Sequence, residues 1–184
     1  LQSRDMPLVT TKSYRSIFCC AVIEYYKKLG FDFTKESFPI PGFLEYYKNK
    51  FESCDLHQDA KVILEKINQS GLTQSILSAG KQSSLINWVE YHNISHFFNQ
   101  FVGVDNENAD GKIEAGVHWI KNSLYKPENI LLIGDTIHDS EVANYMGVKC
   151  ALLPIGHVSK DRLKSTGETV LPSLKSILEY LEID

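Results

Sequence analysis

From Asp59 onward, the hydrophobic pattern switches repeatedly between the spacing of a helix and that of a short buried strand. Apolar residues at helical spacing predict helices over Ala60–Gln69, Gln82–Tyr91, Glu114–Tyr125 and Leu171–Leu181. Short apolar runs predict strands over Thr73–Ser78, Gln100–Val104, Ile130–Ile133 and Val148–Leu153. Such alternation is typical of a parallel sheet joined by right-handed crossovers. The pattern therefore predicts an α/β domain over residues 55–184.

Residues 1–54 show a different pattern, with helical periodicity and no strand. Helices are predicted over Tyr14–Leu29, which Gly30 ends, and over Phe43–Phe51, after the break at Pro39-Ile-Pro-Gly42. The segment is rich in tyrosine. We expect a small helical block, whose candidate ligand-facing side chains are Tyr14, Arg15, Tyr25, Tyr26 and Lys35. The alternative is that these side chains pack a core.

Two carboxylates follow the predicted strand Ile130–Ile133. Gly134-Asp135 ends the strand, and Asp139 lies at the start of the next helix. Ligands of open α/β sheets bind beyond the carboxyl ends of strands, and Mg²⁺ commonly takes one or two carboxylates and several waters. Thr136 to Asp139 also fits a capping box, which would explain those two residues without a metal. Capping leaves Asp135 unexplained.

Ser78 and Lys112 are two further candidate binding residues. Ser78 ends a predicted strand before a helix, so its hydroxyl and the amides after it could hold a phosphate oxygen. The alternative is an ordinary hydroxyl at a strand end. Lys112 lies at a helix entrance, where a cation is disfavoured unless it faces carboxylates or a phosphate. The alternative is a solvated surface lysine.

The order of these residues along the chain resembles motifs two, three and four of the haloacid dehalogenase superfamily. The resemblance covers roughly Leu56 to the carboxyl terminus. The sequences of three segments are similar to those of the phosphoglycolate-phosphatase-like branch, namely Gly111–Ile120, Gly134–Ala143 and Gly156–Lys160. It implies a Rossmann-like parallel sheet as the core. Residues 1–54 would then be a small α-helical cap over residues 55–184.

The resemblance also implies a Mg²⁺-dependent phosphomonoester hydrolase acting on a small phosphorylated metabolite. In this family an aspartate attacks phosphorus, and water hydrolyses the resulting aspartyl-phosphate. Ser78 and the amide of Ala79 would bind the phosphoryl group, and Lys112 would neutralise its charge and orient the nucleophile. Asp135 would bind Mg²⁺ directly, and Asp139 directly or through water.

The family's first motif, Asp-x-Asp or Asp-x-Asn followed by Gly-Thr, is absent from the 184 residues. Asp32-Phe-Thr34 is the nearest segment, but no apolar strand precedes it and no second acid follows. We expect a central first strand, between those carrying Ser78 and Asp135, to be missing ahead of Leu1. The chain would then be an incomplete folding unit, or have a rearranged sheet, and would be inactive as written.

Two alternatives remain open. The first is a non-catalytic haloacid dehalogenase-like domain that keeps the pocket for binding or interaction. The second is an unrelated Rossmann-like binder with a well-capped turn at Asp135. The sequence immediately upstream of Leu1 would discriminate the enzyme from the first alternative.

Composition limits the remaining function classes. A net charge of −4 argues against nucleic-acid binding, and no apolar stretch approaches the roughly 20 residues of a membrane span. The four cysteines lack metal-site spacing, so we expect a reduced Cys19-Cys20 pair and an inert Cys150 in a cytoplasmic protein. The expected assembly is a monomer or weak homodimer. His138 and His157 are assigned positioning or capping roles.

Overall fold

The computed structural model describes residues 1, 4, 6–19 and 22–183. The helical block, residues 1–54, contains α1 (Thr11–Ile17), α2 (Val22–Lys28) and α3 (Phe43–Phe51). The prediction of one helix over Tyr14–Leu29 is wrong, because the backbone at Phe18 leaves the helical region, with φ −55° and ψ 137°. Cys20, of the predicted cysteine pair, lies outside the described residues.

Helices and strands alternate through the rest of the chain. In chain order they are α4 (Ala60–Gln69), β1 (Ser75–Lys81), α5 (Gln82–Tyr91), β2 (Gln100–Val104), α6 (Lys112–Asn122), β3 (Leu131–Gly134), α7 (Ile137–Met146), β4 (Lys149–Leu152), α8 (Lys160–Lys164), β5 (Thr169–Val170) and α9 (Ser176–Tyr180). Short 3₁₀ helices cover Ser95–Phe97 and Pro127–Asn129. The terminal helix is shorter than predicted, since Pro172 keeps the residue before it extended.

The parallel strands form two sheets. β1 pairs with β2, and β3, β4 and β5 form the second sheet in that order. Leu131 to Gly134 lie opposite Lys149 to Leu152. In the described parts of the chain β1 and β3 are not hydrogen-bonded to each other. The break lies between β1, which carries Ser78, and β3, which Asp135 follows, at the position expected for the family's first strand.

Helix α6 packs against the β1–β2 sheet and helix α7. Gly116 makes this approach possible, because a Cβ there would lie 2.7 Å from the sulfur of Met146 in α7 and 3.0 Å from a methyl carbon of Leu77 in β1. Lys112, at the amino end of α6, reaches Asp139 in the first turn of α7.

The helical block shares a core with the α/β part. Phe18 and Tyr25 pack in one buried cluster with Leu152, Val158 and Leu163. Fold class is therefore as predicted, an α/β core of parallel strands with helices added at the amino-terminal side. The boundary between residues 54 and 55 stays a prediction. No helix in the described ranges is long and apolar enough to cross a membrane.

Candidate active site

Helix α7 begins with a capping box, as its sequence predicts. The Asp139 amide donates to the Thr136 hydroxyl, and the Thr136 amide donates to Asp139 Oδ2 at 2.9 Å. Gly134 allows the strand to pass beside this turn, because a Cβ on Gly134 would overlap the Asp139 side chain. The capping interpretation therefore holds for Thr136 and Asp139.

Asp139 has a second partner that capping does not require. Lys112 Nζ lies 2.5 Å from Asp139 Oδ1, and both side chains are largely buried, at 15% and 6% exposed. Burial alone would raise the pKa of Asp139. The Lys112 ammonium, together with hydrogen bonds from Lys112 and Thr136, outweighs burial and holds that pKa below its usual range. Asp139 is therefore an ionised carboxylate that anchors Lys112.

Asp135 is oriented by the turn after β4. The His157 amide donates to Asp135 Oδ2 at 2.9 Å, and a Cβ on Gly156 would overlap the carboxylate. Asp135 Oδ1 accepts no hydrogen bond from the described residues and lines a cavity. His157 thus positions Asp135 through its backbone.

The His157 ring is itself held by the helical block. Its Nδ1 lies 2.5 Å from Tyr14 Oη. Burial, followed by the nearby Tyr25 hydroxyl, raises the pKa of Tyr14, so the phenol stays protonated. The block therefore meets the α/β core directly beside Asp135.

Ser78 and Ala79 lie at the carboxyl end of β1. The amide of Gly80 donates to Ser78 Oγ at 3.0 Å. The β1–β2 register shifts between Leu77 and Lys81, so the backbone turns away from the ladder at this point. Ser78, Ala79 and Gly80 all line the cavity.

One cavity of about 580 Å³ collects all the predicted site residues. Its polar wall contains Ser78, Ala79, Lys112, Asp135 and Asp139, and we call Ser78, Lys112, Asp135 and Asp139 the polar cluster. The helical block also contributes to the lining, through residues such as Tyr14, Tyr25 and Phe43. The structure brings the predicted residues together from β1, α6 and the β3–α7 turn.

The aromatic wall was only partly anticipated. Tyr14, Tyr25 and Tyr26 line the cavity, whereas Lys35 lies elsewhere and pairs with Asp32 at 2.9 Å. Arg15 instead donates to the Ile155 carbonyl at 3.3 Å. The richness in tyrosine was the available sequence signal, but helical spacing alone does not separate core packing from a cavity wall.

Asp135 and Asp139 are the candidate metal ligands of the cavity. Within the described residues, no group of three or more His, Cys, Asp or Glu side chains could hold a metal ion. Both Asp139 oxygens already accept hydrogen bonds, whereas Asp135 keeps one oxygen open. Mg²⁺ takes as few as one carboxylate when water and a phosphate complete its shell. Asp135 fits that role, with Asp139 beside it.

Comparison with known proteins identifies the family. A family model described as haloacid dehalogenase-like hydrolase matches residues 1–153. The chain is 24% identical over 141 residues to a phosphoglycolate phosphatase from Aliivibrio fischeri, covering 75% of this chain and 62% of that protein. The chain therefore belongs to the haloacid dehalogenase-like hydrolases, on the phosphoglycolate-phosphatase-like branch predicted from sequence. The alternative of an unrelated Rossmann-like binder is wrong.

Solved structures share the fold at low sequence identity. Protein Tyrosine Kinase A from Mycobacterium tuberculosis superposes with a TM-score of 0.79 at 15% identity, covering 100% of this chain and 87% of that one. A predicted phosphatase from Clostridium acetobutylicum gives 0.76 at 14% identity, with 98% and 85% covered. Identities this low show the fold alone. The chain spans about 62% of the curated relative's length.

Proposed function

We propose that the polar cluster is the substrate- and metal-binding part of a Mg²⁺-dependent phosphomonoester hydrolase. The observation that carries the proposal is the convergence of Ser78, Lys112, Asp135 and Asp139 on one cavity from three separate segments. The A. fischeri relative, a phosphoglycolate phosphatase, supports the reaction class. The expected substrate is a small phosphorylated metabolite.

Each residue has a role that its surroundings support. The Ser78 hydroxyl and Ala79 amide would donate to the transferring phosphoryl oxygens. Lys112, fixed by Asp139 at 2.5 Å, would place positive charge where the phosphoryl group gains negative charge. Pre-orientation matters because phosphoryl transfer depends mostly on positioning and electrostatic stabilisation. Asp139 is then a positioning residue for Lys112.

Asp135 would hold the metal through its open oxygen, while the His157 amide holds the other at 2.9 Å. Bound Mg²⁺ would neutralise phosphoryl charge and orient the phosphate. Asp139 would contribute through a water, since its oxygens already accept from Lys112, Asp135 and Thr136.

Isothermal titration with Mg²⁺ tests the metal assignment. Asp135→Asn keeps an acceptor for the His157 amide but removes the charge, so we expect Mg²⁺ affinity to fall by about tenfold or more. Asp105→Asn is the matched control, because Asp105 is an exposed carboxylate after β2 that does not line the cavity. Equal Mg²⁺ affinity of wild type and Asp135→Asn would contradict the assignment of Asp135 as a metal ligand.

The aspartyl-phosphate route needs a nucleophile beyond these side chains. Of the described residues lining the cavity, the acids are Asp135, Asp139 and Glu107, and Glu107 pairs with Lys81 at 3.3 Å. None belongs to an Asp-x-Asp motif followed by Gly-Thr. We therefore expect the 184 residues alone to give no turnover of para-nitrophenyl phosphate, and Mg²⁺-dependent hydrolysis would contradict this.

The second candidate is a non-catalytic domain of the same family that binds a phosphorylated ligand. The absent nucleophile motif favours it for these 184 residues. The test adds a strand that carries Asp-x-Asp and Gly-Thr ahead of Leu1. If the extended protein binds the ligand without turning it over, this candidate is supported over the hydrolase.

A further inference from the structure

A continuous series of aromatic rings lines the same cavity as the polar cluster. Successive ring centroids lie 5.2 to 6.1 Å apart, from the helical block to α5. We call this series the aromatic arc, and its members are Tyr14, Tyr25, Tyr26, Phe43, Tyr47 and Trp88. Spacings in this range are those of interacting aromatic pairs.

Both ends of the aromatic arc lie beside the polar cluster. At one end Tyr14 bonds the ring of His157, whose amide holds Asp135. At the other end, a Cβ on Gly80 would lie 3.2 Å from Ser78 Oγ and 3.4 Å from a ring carbon of Trp88. A phosphate held by Ser78 and Asp135 would therefore lie near both ends of the aromatic arc.

The aromatic arc is not fully used for core packing. Tyr25 is buried at 7% exposed, but Tyr47, which also lines the cavity, is 49% exposed. The cavity volume of about 580 Å³ is within the range that encloses an organic ligand and exceeds the needs of a phosphoryl group alone. Free ring faces remain available to a ligand.

We propose that the site takes phosphomonoesters whose organic part is an aromatic ring, with the ring seated against the aromatic arc and the phosphate on the polar cluster. The inference rests on the proposed phosphate site and adds a substrate class to it. Aromatic faces stack favourably on planar rings, whereas a short aliphatic group would leave the arc exposed to water. An aryl phosphate and a nucleoside monophosphate both supply this chemistry.

Equilibrium binding to the intact chain tests the substrate class. The probes are inorganic phosphate, ethylphosphonate, phenylphosphonate and adenosine monophosphate, titrated calorimetrically with Mg²⁺ present. Phosphonates resist hydrolysis, and the ethyl and phenyl compounds share one anionic group. We expect phenylphosphonate to bind about 3- to 10-fold more tightly than ethylphosphonate. Adenosine monophosphate distinguishes a ring next to the ester oxygen from a ring one sugar away.

Two neighbouring tyrosines of α3 provide a matched pair of variants. Tyr47 lines the cavity, whereas Tyr46 is 65% exposed and does not. Tyr47→Ala should weaken phenylphosphonate or adenosine monophosphate binding by about 3- to 10-fold and leave inorganic phosphate binding unchanged. Tyr46→Ala should change neither. Both positions are exposed, so circular dichroism should show both variants folded.

The outcomes separate this inference from the proposed function. If inorganic phosphate binds and Ser78→Ala weakens it, but neither aromatic probe exceeds ethylphosphonate, the aromatic substrate class is overturned and the phosphate site stands. Equal losses for Tyr46→Ala and Tyr47→Ala also overturn it. If no phosphate or phosphonate binds to the folded wild type, both proposals fail.

Discussion

Replacing Lys112 with methionine tests the electrostatic centre of the site. The substitution keeps an unbranched apolar stem and removes the ammonium that lies 2.5 Å from Asp139 Oδ1. Asp139 is 4% exposed, so water cannot readily replace the lost cation. The variant therefore leaves a buried carboxylate without its counter-charge.

The expected loss of stability follows from this burial. Removing one partner of a buried ion pair typically costs about 3–5 kcal/mol. Asp139 Oδ2 still accepts from the Asp135 amide, the Thr136 amide and the Thr136 hydroxyl. These three donors partly stabilise the remaining charge, so we expect the lower end of the range, about 3 kcal/mol near pH 7.

The loss should depend on pH in a defined direction. The folded pKa of Asp139 lies below its unfolded value, so its contribution is present above about pH 4 and disappears as pH falls through the folded pKa. In Lys112→Met, burial is no longer outweighed by the ammonium, and protonation occurs at higher pH. The difference between wild type and variant should therefore narrow in acid.

Urea unfolding followed by circular dichroism measures this difference. With a slope of about 2 kcal/mol per molar urea, a 3 kcal/mol loss lowers the midpoint by about 1.5 M. Lys81→Met is the control, because Lys81 pairs with Glu107 at 3.3 Å with both side chains about 40% exposed. Exposed pairs contribute about 1 kcal/mol or less.

The electrostatic reasoning fails under either of two results. Equal midpoints for wild type and Lys112→Met at neutral pH would show that the ion pair contributes nothing. A difference that stays constant from neutral pH to about pH 3 would show that ionised Asp139 is not its cause.

Three further predictions concern other parts of the site and fold. Gly156→Ala should displace Asp135 and lower calorimetric Mg²⁺ affinity about 10- to 100-fold, and unchanged affinity would contradict the overlap. Burial, with nearby acids, raises the pKa of Cys150 to about 12, so peptide mapping after iodoacetamide treatment should find exposed Cys54 labelled and Cys150 labelled only after unfolding. Arg162→Leu should lower stability by about 1.5–3 kcal/mol in a urea titration, because its guanidinium bonds the Phe18 carbonyl at 2.7 Å, and unchanged stability would refute this anchoring role.

Much of the fold was predictable because its signals are local. The helices Phe43–Phe51, Ala60–Gln69 and Gln82–Tyr91 and the strand Gln100–Val104 have the predicted bounds. The broken helix after Ile17 was not predictable. Arg162, 144 residues away in the sequence, binds the Phe18 carbonyl that a continuing helix would use. No local pattern encodes such a distant partner.

The candidate site was predictable as a set of residues but not as a geometry. The order of the motifs identified four candidate site residues, Ser78, Lys112, Asp135 and Asp139. Their roles remain predictions. Sequence indicated that Lys112 would face carboxylates or a phosphate, but it did not identify Asp139 as the partner. Nor did it reveal that the His157 amide holds Asp135. These contacts depend on how α6 and the turn after β4 pack.

By itself the sequence determined the family, the alternation of elements and the acidic turn after β3, because periodicity, capping and motif order act over a few residues. Tertiary structure alone decided the Lys112–Asp139 pair and the aromatic arc. Each joins residues distant in sequence, so it exists only when helices pack at close range. Sequence alone does not distinguish whether these tyrosines pack in the core or line a cavity, because that depends on how the helices pack.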